Sequence, residues 1–121
     1  MIESDQRKAS FLRAVSRETG APAIVHCGRV EIELPKLVGE VDAISARALA
    51  PLPTLIDWSN EHLLKNAVGV FLKGENWRAE LTDAKRKGSF EYKEKQSVTN
   101  PAARIILVRQ APTDPTQRTN P

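Results

Sequence analysis

The fold class of this chain is decided by residues 51–74, PLPTLIDWSNEHLLKNAVGVFLKG. The first half has the apolar spacing of an amphipathic helix, and Pro51 is tolerated in a first helical turn. The positions that share this spacing are Leu52, Leu55, Ile56, Ser59 and Leu63. The second half contains Val68 to Leu72, a short continuous apolar run of the kind that is buried on both faces of a parallel sheet. A helix followed by such a strand predicts an α/β protein.

The same alternation extends from this stretch toward both ends of the chain. We expect strands at residues 2–3, 23–27, 41–45, 68–72, 90–98 and 104–109, helices at 5–19, 51–64 and 75–87, and a loop with at most a short helical turn at 28–40. This order predicts a mostly parallel, doubly wound sheet with an antiparallel pair at one edge. Residues 1–110 would form one domain or part of one. Residues 111–121, rich in Pro and Thr, are expected to be disordered.

Composition sets the broad class of the protein. A length of 121 residues, 40% hydrophobic and 27% charged, is ordinary for a single globular domain. The net charge of +3 tolerates a nucleic-acid partner without requiring one, and 5% aromatic residues argue against a base-stacking platform. Cys27 is the only cysteine, which excludes an intrachain disulfide and fits a reducing compartment. The chain shows no signal peptide and no apolar run of membrane-spanning length, so we expect a cytoplasmic protein.

Chemistry in such a sheet is expected beyond the carboxyl ends of the strands. Glu3 ends the first predicted strand, where a carboxylate can accept hydrogen bonds from ribose hydroxyls; it can also serve simply as an acid before a helix. Arg47 follows the third strand among small residues and can bind a carboxylate through two hydrogen bonds. The alternative for Arg47 is a structural pair with Glu31 or Asp42.

His26 and Cys27 close the second predicted strand but do not predict a catalytic pair. Neighbours along a strand face opposite sides, so these two side chains are expected to pack or to line the rim. Two histidines and one cysteine in the whole chain also give little basis for a metal site, and we expect none. Trp58 and Trp77 lie at amphipathic helix positions, where packing is the default expectation.

Four segments in order resemble a known family. They are residues 2–13 (IESDQRKASFLR), 28–31 (GRVE), 46–52 (ARALAPL) and 72–74 (LKG). Together they resemble the RsmG family, also called GidB, whose members are bacterial enzymes that use S-adenosylmethionine to methylate N7 of a guanine in 16S ribosomal RNA. The resemblance spans residue 2 to about residue 110 and corresponds to the C-terminal portion of the family domain. It implies a partial Rossmann-like class I methyltransferase fold.

The resemblance assigns roles to particular residues. It implies that Glu3 lies near the cofactor ribose, Val30 and Glu31 near the adenine, and Arg47 at the cofactor and active site. Arg29 and Lys73 match basic positions close to RNA. No catalytic side chain is implied, because guanine N7 has a free lone pair and loses no proton when it is methylated. The partner would be 16S ribosomal RNA or the small ribosomal subunit, and the protein is expected to be a monomer.

The family has a first strand and a glycine-rich turn that none of the glycines here forms. On this expectation the sheet lacks a strand between those ending at Glu3 and Ser45, and the chain alone binds cofactor poorly or not at all. Two alternatives stay open. One is a non-catalytic remnant that binds RNA through basic residues, namely Arg7, Lys8, Arg13 and Arg29. The other is half of a nicotinamide-dependent oxidoreductase, because an acid after the second strand serves either cofactor.

Overall fold

The computed structural model of the chain describes residues 1–47 and 49–111. These residues form two compact units, unit 1 from Met1 to Val38 and unit 2 from Gly39 onward. Of the predicted disordered tail, residues 111–121, all but Ala111 lie outside the described residues. Within the described ranges, no helix has the length and apolar character needed to cross a membrane.

Unit 1 is built around two short parallel strands and one long helix. Its elements are β1 (Ile2–Glu3), α1 (Gln6–Thr19), β2 (His26–Cys27), α2 (Val30–Glu33) and a 3₁₀ helix (Leu34–Leu37). The carboxylate of Asp5 caps α1 by accepting hydrogen bonds from the backbone N–H groups of Arg7 and Lys8, at 2.8 and 3.1 Å. Gly20 ends the helix in the left-handed conformation, with a φ of 72°. The helix predicted at residues 5–19 is thereby confirmed.

The second strand is shorter than the sequence predicts. Only His26–Cys27 pair with β1, although residues 23–27 have strand-like composition. The preceding carbonyl groups are taken by side chains of α1: Arg13 donates to the carbonyl of Val25 at 3.0 Å, and the Ser16 hydroxyl donates to that of Ala21 at 2.6 Å. The approach to β2 is therefore held by side-chain hydrogen bonds from α1 and by the nitrogen of Met1, which donates to the carbonyl of Ile24 at 2.9 Å.

Residues 28–40 are also more helical than predicted. Where a loop with at most one short turn was expected, α2 passes directly into the 3₁₀ helix. Glu31 and Glu33 lie in the first turn of α2, where negative charge is favourable for a helix. Pro35 is the second residue of the 3₁₀ helix, within the first turn, where a missing N–H costs little.

In the described part of unit 2, helices alternate with the strands of one sheet. Its elements are β3 (Ala43–Arg47), α3 (Leu52–Leu64), β4 (Val68–Lys73), α4 (Trp77–Lys87), β5 (Phe90–Gln96) and β6 (Arg104–Gln110). The strand order is β3-β4-β6-β5, with β3 and β4 parallel and both pairings of β6 antiparallel. The α/β class and the antiparallel edge are confirmed. The sheet is mixed and not mostly parallel, because β6 returns between β4 and β5.

The core of unit 2 lies on one face of this sheet, here called the helix-covered face. Phe71, Ile106 and Val108 are fully buried there against residues of α3 and α4. The helix residues that pack on them are Leu52, Leu55, Leu63, Trp77, Leu81 and Ala84. Trp58 packs against the same cluster. The expectation that both tryptophans serve in packing is thus confirmed.

Candidate functional site

In unit 1, the polar residues predicted at strand ends meet at one edge. Because β1 and β2 are parallel, with Glu3 opposite Cys27, their carboxyl ends coincide. The N–H of Gly28 donates to the carbonyl of Glu3 at 3.0 Å, which holds the two strand ends together. The residues that follow each strand therefore emerge side by side.

The carboxylate of Glu3 is half-buried and only partly used. Its Oε1 accepts a hydrogen bond from the N–H of Asp5 at 3.1 Å. No other hydrogen bond to this carboxylate occurs among the described residues. Glu3 is thus oriented from one side and retains acceptor capacity, as a residue that binds two ribose hydroxyls requires.

The segment after β2 turns sharply into α2. A Cβ atom on Gly28 would lie 2.7 Å from Oε1 of Glu33, so the position of the Glu33 side chain against the strand end depends on a glycine here. Val30, the first residue of α2, is half-buried, whereas Arg29 and Glu31 are exposed. Because α2 contacts β1, the structure brings the predicted adenine residues to the same edge as Glu3.

In unit 2, Arg47 is the last residue of β3 and is exposed. Its guanidinium makes no ion pair or hydrogen bond with any described residue of this unit. Asp42, one of the two acids considered as a structural partner, therefore does not pair with it. An unpaired guanidinium at the carboxyl end of a parallel strand is suited to binding a carboxylate or a phosphate.

Lys73 was predicted to contact RNA, and the structure places it in the interior. It is 7% exposed, its Nζ donates to the carbonyl of Ala50 at 2.6 Å, and the same Nζ lies 3.0 Å from Oε1 of Glu80. Lys73 shares the helix-covered face with Phe71, whereas Arg47 lies opposite Leu72 and projects from the other face. The structure thus brings Arg47 and Lys73 to one end of the sheet but separates their side chains.

Sequence reasoning did not single out Glu80, whose carboxylate binds both a buried lysine and a backbone N–H. Its Oε1 accepts from the N–H of Leu52 at 2.7 Å as well as from Lys73. A signal was present in the sequence, because an acid in the first turn of the helix that follows a strand-ending lysine can fold back onto that lysine. Acids are common in first turns, so the position alone did not indicate a buried partner.

The basic residues of unit 1 differ in availability. Arg13 is engaged with the carbonyl of Val25, whereas Arg7, Lys8 and Arg29 are exposed and make no ion pair among the described residues. His26 and Cys27 are half-buried in β2, as expected for packing or rim residues. Over the described ranges, no three His, Cys, Asp or Glu side chains lie close enough to hold a metal ion.

The fold and the polar strand ends define a class, the α/β proteins with a methyltransferase-like fold. The family model of GidB, rRNA small subunit methyltransferase G, matches residues 1–107. The chain belongs to this family. It is similar to curated proteins named ribosomal RNA small subunit methyltransferase G, including those of Hyphomonas neptunium, at 43% identity over 91% of the chain, and of Paracoccus denitrificans, at 43% over 89%.

The relative from Ruegeria sp. has the same name and is 38% identical over 90% of the chain. The matches cover 52%, 55% and 52% of the Hyphomonas, Paracoccus and Ruegeria proteins respectively. The chain therefore spans about half the length of the curated relatives it matches.

Proposed function

We propose that this chain contributes cofactor-binding and RNA-binding residues to the S-adenosylmethionine-dependent methylation of guanine N7 in 16S ribosomal RNA. The family match over residues 1–107 carries this proposal. It favours a methyltransferase over the nicotinamide-dependent alternative. Since the chain spans about half of its relatives, we propose that it corresponds to the C-terminal portion of such an enzyme and binds the cofactor weakly by itself.

The residues at the strand ends suit the parts of S-adenosylmethionine. Glu3 would accept hydrogen bonds from the ribose hydroxyls, and Val30 and Glu31 would contact the adenine. Arg47 would bind the carboxylate of the methionyl group. Two observations support these assignments. Glu3 keeps free acceptor capacity for hydroxyl donors, and the Arg47 guanidinium, which has no partner among the described residues of its unit, can donate to a carboxylate.

The bound cofactor supplies a methyl group on a positively charged sulfur. The lone pair of guanine N7 carries no proton, so methylation at this atom requires no general base. The protein's contribution is then to bind and orient the reactants and to exclude water. We accordingly propose no catalytic acid or base among the residues of this chain.

The RNA partner is proposed from the family and from charge. Arg29 is exposed at the edge that carries Glu3, and the chain has a net charge of +3. A cation at this position would contact phosphate groups and would add to a salt-dependent affinity for RNA. We propose that the protein is a cytoplasmic monomer and that it acts on 16S ribosomal RNA or on the small ribosomal subunit.

Methylation in cells tests this proposal. Residues 1–110 of this chain are placed after the part of the Hyphomonas neptunium relative that the match leaves uncovered. The hybrid is expressed in bacteria that lack the enzyme, and N7-methylguanosine in 16S ribosomal RNA is measured by mass spectrometry. The proposal predicts that the hybrid restores the modification and that Arg47→Ala reduces it, whereas Arg86→Ala, a change at an exposed arginine of α4, does not.

A stable hybrid that leaves the RNA unmodified would contradict the proposal. If that protein still bound RNA with a steep salt dependence and without any effect of cofactor, the non-catalytic RNA-binding alternative would replace it.

A further inference from the structure

Lys73 and Glu80 form an ion pair that also binds backbone groups. The side chain of Lys73 is 6% exposed and that of Glu80 is 24% exposed. The Lys73 ammonium donates to the carbonyl of Ala50, and the Glu80 carboxylate accepts from the N–H of Leu52. One side chain from β4 and one from α4 therefore bind the two ends of the same three-residue segment, Ala50–Leu52.

Besides hydrogen bonds within α3, the only backbone hydrogen bond of this segment among the described residues holds its middle, where the N–H of Leu55 donates to the carbonyl of Pro51 at 3.0 Å. Leu52 is the first residue of α3, and the first N–H groups of a helix lack partners within the helix. Pro51, between the two contacts, has no N–H to donate. Pro51 is also the cap residue of α3, and its side chain makes no capping hydrogen bond. Glu80 thus supplies from another helix the acceptor that a capping side chain usually provides.

We infer that Lys73 and Glu80 are positioning residues that fix the segment Ala50–Leu52 and thereby the path of the chain that leaves β3 at Arg47. Arg47 precedes Ala50 by three positions, so a fixed segment limits where its backbone lies. The inference rests on the proposed function in one respect, that Arg47 is the residue whose placement matters. This role replaces the predicted contact between Lys73 and RNA.

The experiment compares two ion pairs in the full chain. Amide hydrogen exchange at Leu52 and ¹⁵N relaxation at Leu49 and Ala50 are measured by NMR. The test variant exchanges the two charges, Lys73→Glu with Glu80→Lys. It keeps the attraction between the side chains, but the new glutamate cannot donate to a carbonyl and the new lysine cannot accept from an N–H. The control exchanges the exposed pair of β6 and β5, Arg109→Glu with Glu91→Arg, whose side chains lie 3.2 Å apart.

We expect the Leu52 amide hydrogen to exchange about 10- to 100-fold faster in the test variant. This factor corresponds to the loss of a hydrogen bond to a charged acceptor. Leu49 and Ala50 should gain motion, and the control should change neither. Glu80→Gln, which retains an oxygen acceptor and disturbs the fold least, should keep most of the protection at Leu52. Unchanged protection at Leu52 in the charge-exchanged variant would overturn the inference, and so would equal loss of protection in the control.

The readout is independent of the proposed function. Loss of loop order is measured without cofactor or RNA, so failure of this inference is distinct from failure of the hybrid to methylate RNA. Lys73→Met in the hybrid adds a second measurement. A positioning role predicts weaker cofactor binding in Lys73→Met. It also predicts that Lys73→Arg, which keeps a donor at this position, retains most of the affinity.

Discussion

The substitution Gly69→Ala is expected to destabilise unit 2, although alanine normally suits a strand better than glycine does. Gly69 lies in β4 on the helix-covered face, two residues before Phe71. A Cβ atom at position 69 would lie 2.6 Å from Cε2 and 2.8 Å from Cζ of the Phe71 ring. Phe71 is 0% exposed, so the ring has no open space into which it can move.

Two opposing effects set the magnitude. Replacing a strand glycine by alanine favours the folded state by roughly 0.5–1 kcal/mol through chain entropy. Adding a carbon atom to a close-packed core costs about 1–3 kcal/mol. Because the clash is with an immobile ring and not with a flexible side chain, the upper part of that range applies. The net expected loss is about 1–2 kcal/mol, or roughly 4–15 °C in the melting temperature of a unit of this size.

Tryptophan fluorescence during urea unfolding measures this loss selectively, because Trp58 and Trp77 both belong to unit 2. Gly88→Ala is the matched control. Gly88 has an extended φ of −178°, and an added Cβ there would meet no atom within 4 Å, so this variant should be unchanged or more stable by about 0.4–1 kcal/mol. Adding Phe71→Leu to Gly69→Ala should recover part of the loss. If Gly69→Ala alone unfolded at the same urea concentration as the parent or the control, the packing argument would be refuted.

Three further predictions concern single interactions. Asp5→Ala removes the acceptor for two N–H groups of α1 and should lower the stability of unit 1 by about 1 kcal/mol. The Cys27 thiol of unit 1 should then react faster at moderate urea, and thiol reactivity equal to that of the parent would contradict the prediction. Because the Ile106 side chain is fully buried, Ile106→Ala should lower the free energy of unfolding by about 2–5 kcal/mol and Ile106→Val by only about 0.5–1.5 kcal/mol. Tryptophan fluorescence measures both, and similar losses in the two variants would contradict the packing. Lys36→Ala breaks an exposed ion pair with Glu33, whose charged atoms lie 3.3 Å apart, and should change the stability of unit 1 by less than about 1 kcal/mol. The same thiol assay measures this change, and a larger loss would contradict the prediction.

Much of the fold follows from local sequence patterns. The apolar spacing in α3 and the continuous run of β4 predict a helix and a buried strand, and both form close to the expected residues. The cap at Asp5 and the stop at Gly20 were also predictable, because they depend on short-range chemistry. The order of the strands was not. The insertion of β6 between β4 and β5 depends on long-range pairing, which no local pattern records.

The candidate site also contains features that local sequence predicts and features that depend on long-range contacts. The positions of Glu3 and Arg47 at strand ends were predictable, because each ends a parallel strand of its own unit and this needs only the bounds of that strand. Lys73 follows the same rule, yet its side chain lies inside the protein. That outcome depends on Glu80, which is seven residues further along the chain, and on the carbonyl of Ala50. Whether a lysine at a strand end faces solvent therefore depends on whether tertiary packing places a carboxylate beside it.

The shortened β2 has a comparable cause. Composition at residues 23–25 suits a strand, but Arg13 and Ser16 of α1 donate to carbonyl groups in and before this segment. Side-chain donors on a neighbouring helix then satisfy the backbone that a strand partner would otherwise satisfy. Composition alone does not distinguish these two outcomes.

The central claim is that the strand-end residues of this chain bind S-adenosylmethionine. Calorimetric titration with the cofactor tests it most directly, in the hybrid with the Hyphomonas neptunium relative and in the same hybrid with Arg47→Ala or Arg86→Ala. We expect measurable binding in the parent hybrid and unchanged binding in Arg86→Ala. In Arg47→Ala the affinity should be lower by about 10- to 100-fold, because a charge-assisted hydrogen bond is lost. Cofactor binding that is equally strong in all three proteins would contradict it.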